Sequence, residues 1–240
     1  MRRLTSHSQH FLRQPSLVKE LIGHSTLRRS DTVIDIGAGS GIITSVLAER
    51  CKYVISYEVD ERMIAKLREN TAEFSNVRIV AKDFIDSPLP EGPYKVFANI
   101  PFHLSSPILR KLTEADNPPD AIYLIVQKQF AQKLVIDGDH FTGQLGAMVA
   151  PLFAVRVRRT LQRTDYFPHP AVDTMLVELL RREEPLITPA KMPIYREFIA
   201  DCFSTPKIFQ RQPLAKAGIT PEQKPSQVTL DQWVKLFSTI

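Results

Sequence analysis

A chain of 240 residues suffices for one full domain and a small appendage, and 43% hydrophobic residues can fill a core, which excludes a disordered chain. The formal net charge of +5 and a pI near 9.2 lean toward a polyanionic partner, since each phosphate contact releases counterions. No apolar run reaches the roughly 18 residues of a membrane span. Met1-Arg2-Arg3 leads into no apolar leader segment, and Cys51 and Cys202 form neither a CxxC pair nor a disulfide framework, as expected of a reducing cytoplasm.

Taken in chain order, Thr32-Val33-Ile34-Asp35-Ile36 is apolar and β-branched and reads as a buried strand ending at a glycine loop. Residues 42–50 read as a helix and 53–58 as a second strand. Asp60 is a suitable N-cap for a helix to about Glu73, with Met63, Ile64 and Leu67 on one face. Residues 77–81, 94–98 and 121–126 supply three more strands, and runs near 152–158 and 175–180 complete seven. This alternation implies an α/β fold: a Rossmann-like, mostly parallel seven-stranded sheet over residues 1–183. After Glu184, prolines at 185, 189, 193, 206, 213, 221 and 225 interrupt the chain and no strand pattern returns. Residues 184–240 therefore read as a small all-helical domain anchored by Trp233, Leu236 and Phe237.

Sheets of this class bind ligands beyond the carboxyl ends of their strands. The first strand ends in Asp35-Ile36-Gly37-Ala38-Gly39-Ser40-Gly41, whose glycines at alternate positions permit a tight turn and close approach of a ligand. A bare βα turn would look the same. Glu58 at the end of the second strand can accept ribose hydroxyl hydrogens, and Asp83 at the end of the third can accept from an adenine amino group with Phe84 beside the ring. Each alone could be a surface charge. A dinucleotide fingerprint wants glycine at position 42, which is Ile42; the G-x-G-x-G spacing instead resembles the loop of Rossmann-like methyltransferases, whose cofactor, S-adenosylmethionine, has no pyrophosphate.

The fourth strand runs into Asn99-Ile100-Pro101-Phe102. The N6 amine of adenine is a poor nucleophile because its lone pair is delocalised into the ring. The Asn99 side-chain oxygen and the Ile100 carbonyl could each accept one N–H and hold the amine in line with a methyl donor. Pro101 stiffens the loop, and Phe102 offers a stacking face. The base must leave its helical stack to arrive there. An ordinary N-x-P turn is the bland alternative.

These motifs together resemble the rRNA adenine N6-methyltransferases, the group of erythromycin-resistance (Erm) and KsgA-type enzymes. The markers are Ser8-Gln9-His10-Phe11-Leu12, the glycine loop, Glu58, Lys82-Asp83-Phe84, Asn99-Ile100-Pro101-Phe102 and Tyr166-Phe167-Pro168-His169-Pro170-Ala171-Val172, similar to the family's F-x-P-x-P-x-V. The resemblance implies that His10 and Leu12 close over the cofactor, that Gly37, Gly39, Glu58, Asp83, Phe84 and Asn99 bind it, and that Tyr166 and Phe102 sandwich the target base. His10, Phe102 and Tyr166 stand where the family often has Asn, Tyr and Phe. The Asn-Ile-Pro form and short tail resemble Erm more than KsgA. The expectation is thus methyl transfer from S-adenosylmethionine to an adenine N6 of 23S rRNA before full ribosome assembly, of the macrolide-resistance type, with KsgA-type 16S rRNA dimethylation as the alternative.

Arg156, Arg158, Arg159 and Arg163, with Arg181-Arg182 and the N-terminal Arg2, Arg3, His7 and Arg13, are candidate phosphate contacts. Alternation in Val155-Arg156-Val157-Arg158 would put both arginines on one face of a strand. No metal and no membrane are expected, and a monomer is the default. Competing readings are a nicotinamide oxidoreductase, disfavoured by Ile42 and by the lack of a Tyr-x-x-x-Lys pair, a non-catalytic RNA-binding module, and a DNA adenine methyltransferase, which usually carries D/N-P-P-Y/F.

Overall fold

The computed structural model describes residues 11, 12, 14–137 and 140–239. They fall into two compact units. One runs to Lys128 and resumes at Arg158–Glu178; the other comprises Gln129–Val157 and the chain from Leu179 onward.

The first unit holds β1 (Phe11–Leu12), α1 (Pro15–Gly23), β2 (Thr32–Ile36), α2 (Ile42–Arg50), β3 (Tyr53–Tyr57), α3 (Glu61–Asn70), β4 (Val77–Val80), β5 (Lys95–Asn99), α4 (Ser105–Thr113) and β6 (Ala121–Gln127). After α5 (Lys128–Leu134) and α6 (Gln144–Val149) come β7 (Phe153–Leu161), β8 (Tyr166–Phe167) and β9 (Thr174–Arg181). Seven strands form one sheet in the order β4-β3-β2-β5-β6-β9-β7. The five from β4 to β6 pair in parallel, with registers such as Ile36↔Tyr57, Tyr57↔Val80 and Asn99↔Ile125. Their carboxyl ends, and the motifs that follow them, therefore lie along one edge.

The central strands read as continuous apolar runs because helices cover both faces. Ala121 to Val126 are all essentially inaccessible, as are Val96, Phe97 and Ala98. Each large side chain so buried contributes about 1.5–3 kcal/mol. The helix expected to reach Glu73 stops at Asn70: Thr71, its C-cap, still donates its N–H to the Leu67 carbonyl at 3.0 Å, but its φ of −115° takes the backbone out of the helical range. The fourth parallel strand runs from Lys95 to Asn99, so Asn99 is its final residue.

The second unit is helical, with α7 (Met192–Ser204), α8 (Pro206–Gln210) and α9 (Leu230–Phe237). Its core is aromatic. Trp233 is inaccessible, stacked on Phe203 and edge-on to Phe198, and Leu236 lies beside it. The helical segment expected over 184–240 thus belongs to a unit that also takes in 129–157. Ala147 and Met148 of α6 enter the same core, and the Tyr195 hydroxyl donates to the Ala147 carbonyl at 3.0 Å. Among the described residues no helix is long and apolar enough to cross a membrane.

Candidate active site

The glycine loop is preformed. The N–H groups of Gly37 and Ala38 both donate to the Tyr57 carbonyl, at 2.9 and 3.0 Å. Asn70 donates its side-chain amide to the Ser40 carbonyl at 2.7 Å. Gly41 caps α2 with φ +94°, and a Cβ there would meet Leu67 Cδ1 at 2.7 Å, so a larger residue would have to displace the Leu67 side chain as well as adopt a left-handed backbone. Gly37 has φ +70°, and its missing Cβ would lie 3.4 Å from Pro101 Cδ. The glycine loop and the Asn99–Phe102 loop are therefore in direct apposition, though 60 residues apart in sequence.

Glu58 is buried and spoken for. Its Oε2 accepts the Gly39 N–H at 2.8 Å, and its Oε1 accepts the N–H groups of Val59 and Asp60 at 2.8 and 2.9 Å. A carboxylate has about four lone-pair sites, so three backbone donors leave room for one more. The expectation that Glu58 accepts both ribose hydroxyls is narrowed accordingly: it grips the loop first.

Asp35 was not singled out by its motif position, yet it is the most perturbed acid beside the loop. It is buried, and burial pushes its carboxyl up to about 7, helped by the charge of Glu58 and opposed by a 2.7 Å hydrogen bond from Thr44 Oγ1 to Oδ2. Oδ1 has no hydrogen-bond partner among the described residues. An acid inside an otherwise apolar strand, directly before three glycines, was the signal available in the sequence.

Asp83 is exposed, with Oδ1 accepting the Ile85 N–H at 2.8 Å. Phe84 departs from expectation. Its ring is buried, edge-on to Tyr57 at 5.2 Å between centroids, because the apolar side chain closes the layer over β3. It offers no open face to a base, and its contribution to a ligand is limited to backbone.

Asn99 is half-buried at the end of β5, and Ile100 is buried. Pro101 and Phe102 are half-buried, and Phe102 opens a 3-10 turn, Phe102–Leu104, that leads into α4. His10 and Arg13 lie outside the described residues, as do Arg2, Arg3 and His7. Leu12 is buried in β1, which pairs antiparallel with β8 in the registers Leu12↔Tyr166 and Phe11↔Phe167.

That pairing corrects the role expected of Tyr166. Its ring is fully inaccessible and its hydroxyl is 2.6 Å from Thr174 Oγ1. A ring enclosed this way cannot stack on a base. The neighbouring Phe167 alternates to the other face and is 67% exposed. The adjacent aromatic pair in Tyr166-Phe167 carried this signal, but only the register decides which ring faces out.

Arg156 and Arg158 are exposed on β7, and Arg158, Arg159 and Arg163 also carry partners within the protein. β7 ends the sheet order, and Val157 is 37% exposed between exposed Arg156 and Arg158, so an edge strand replaces the two-faced alternation. Arg158 donates to the His24 carbonyl at 3.0 Å and lies 3.8 Å from the buried Glu178. Arg159 pairs with Glu20, and Arg163 with Asp173 at 3.1 Å. These three cations hold the first unit together before any phosphate is offered.

Chemically, the edge carries a carboxylate-braced glycine loop, a buried acid with one oxygen unpartnered among the described residues, and an amide-bearing loop whose Pro101 faces Gly37. A family model described as Ribosomal RNA adenine dimethylase matches residues 2–233. A curated protein named Ribosomal RNA small subunit methyltransferase A, from Latilactobacillus sakei subsp. sakei (strain 23K), is 27% identical over 259 residues, covering 96% of this chain and 87% of that protein. One of the same name from Streptococcus equi subsp. zooepidemicus (strain MGCS10565) is 30% identical over 192 residues, 76% of this chain and 66% of that protein. The crystal structure of the 23S rRNA methyltransferase ErmE matches with a TM-score of 0.83 at 28% identity, covering 95% of this chain and 98% of that one. A dimethyladenosine transferase from Plasmodium falciparum matches in fold with a TM-score of 0.80 at 22% identity, covering 96% and 97%.

Proposed function

Because the chain belongs to the ribosomal RNA adenine dimethylase family, an S-adenosylmethionine-dependent group of rRNA adenine methyltransferases, we propose that it dimethylates adenine N6 in small-subunit rRNA. The observation that carries the choice of subunit is the small-subunit name borne by the relative that aligns with nearly the whole chain. Large-subunit rRNA, first expected from Asn-Ile-Pro and the short tail, is the second reading; the likeness to ErmE along both chains favours it.

S-adenosylmethionine supplies the methyl group when bound. The residues present suit it: Asp35 Oδ1 is buried without a donor among the described residues, and Glu58 retains an accepting site beside the loop. Gly37 and Gly39 would bring backbone close to the cofactor, Glu58 would accept from its ribose and Asp83 from its adenine amino group, and Leu12, with His10 by the family resemblance, would close over it. Asn99 and the Ile100 carbonyl accept the two N6 hydrogens of the target, which turns the nitrogen lone pair toward the methyl. Pro101 holds that loop against Gly37. Phe102 stacks on the base from one side, and Phe167 replaces Tyr166 on the other.

The test is transfer from labelled S-adenosylmethionine to protein-free small- and large-subunit rRNA, with the modified nucleotide mapped. Two methyl groups on one small-subunit adenine are expected, and label confined to large-subunit RNA overturns the choice of subunit. Asn99→Ala should fold and lose about 10²–10³ in rate, the cost of a lost preorganised hydrogen-bonding group.

A further inference from the structure

One side chain outside the assigned residues joins the two loops of the site. The acceptor loop leads through the turn Phe102–Leu104 directly into α4, and Lys111 lies near the end of that helix. Its ammonium donates to the Ile85 carbonyl at 2.6 Å and to the Ser87 carbonyl, and sits 5.1 Å from the centroid of the Phe84 ring. Residues 81–94 contain no helix or strand, so the turn after β4 needs side chains to hold it. The same turn fixes Asp83: its carboxylate accepts the Ile85 N–H, and its carbonyl accepts the Ser87 hydroxyl at 2.7 Å. The two carbonyls that Lys111 grips thus belong to the residues that hold Asp83, Ile85 at its carboxylate and Ser87 at its backbone carbonyl. Charge-assisted bonds of this kind are roughly twice as strong as neutral ones; partial burial lowers the Lys111 pKa below that of a free lysine, and the charges of Asp86 and Asp83 oppose that shift.

We propose that Lys111 is a positioning residue that fixes the Asp83–Ser87 turn to α4, so that Asp83 is held in place for the cofactor's adenine side. The inference rests on the assignment of Asp83 to the cofactor.

The experiment measures S-adenosylhomocysteine affinity by calorimetry and KM for each substrate on the full-length protein, Lys111→Met, Lys111→Arg and Asp83→Ala. Lys111→Met should weaken S-adenosylhomocysteine about tenfold and raise KM for S-adenosylmethionine alike, a fraction of the worth of two charge-assisted bonds because the effect reaches the cofactor only through Asp83. KM for RNA should stay within about twofold, and Lys111→Arg should recover part of the loss, since it keeps the charge. Unchanged affinity in Lys111→Met, or an equal rise in KM for RNA, overturns the proposal. If Asp83→Ala binds as the parent does, the assignment of Asp83 fails instead. Should Lys111→Met not fold, Lys111→Gln, which keeps one donor, is read by the same criteria.

Discussion

Pro101 Cδ sits 3.4 Å from the position a Cβ of Gly37 would occupy, so the acceptor loop rests on the backbone of the glycine loop. Gly37→Ala adds a methyl group at that contact and forces an L-residue to φ +70°, a conformation that costs about 1–2 kcal/mol. The expected outcome is a lower melting temperature and a fall of more than about tenfold in kcat/KM, because both loops shift together. Activity equal to the parent's would mean that the apposition does not matter.

Glu58→Gln tests the carboxylate as a brace. Three backbone N–H groups point at it. An amide presents one oxygen and one NH2, so at least one N–H faces a donor and loses its partner. A loss of about 1–3 kcal/mol in unfolding free energy is expected from urea titration, together with weaker S-adenosylhomocysteine binding. A variant as stable as the parent argues that the loop keeps its shape without this acid.

Asp35 makes stability depend on pH with a definite sign. Its folded pKa of about 7 stands above the ordinary 3.8. Between those values the folded protein holds a proton that the unfolded chain has released. The proton's contribution to stability is complete below the lower value and is withdrawn as pH rises to the upper one. From pH 5 to 8 this amounts to ~3 kcal/mol by linkage. Urea midpoints at the two pH values should converge in Asp35→Asn, and an identical pH trend in parent and variant would reject the assignment.

Tyr166 and Phe167 should separate stability from activity. Tyr166→Phe removes the hydroxyl that meets Thr174 and should cost about 1 kcal/mol of stability with little change in methyl transfer. Phe167→Ala leaves the core intact and should lower kcat/KM for RNA about tenfold or more, the worth of one base–aromatic stack. The opposite pattern would restore Tyr166 as the stacking ring.

The parts of the site legible in the sequence are those set by strand ends. Gly37, Glu58, Asp83 and Asn99 each follow a β-rich run, and a parallel sheet gathers such ends on one edge whatever the remaining contacts. Phe84 was legible in position but not in orientation, since only the packed layer reveals that its ring closes over Tyr57. The internal partners of Arg158, Arg159 and Arg163 were not legible because Glu178, Glu20 and Asp173 do not announce themselves in the sequence; Glu20 lies 139 positions from Arg159. The helical unit was anticipated from its prolines and Trp233. Its share of 129–157 was not, because α5 and α6 are too short for their periodicity to stand out.

The pairing of β1 with β8 involves two residues on each side, and side chains in a strand change face at every step. Sliding that clasp by a single position would turn the tyrosine outward and fold the phenylalanine in. Which of the two rings faces outward is therefore a matter of parity, written in how a segment near the start of the chain aligns with one more than 150 residues later. Insertions between the two are neutral to it, whereas a one-residue change within either strand would exchange one aromatic for the other.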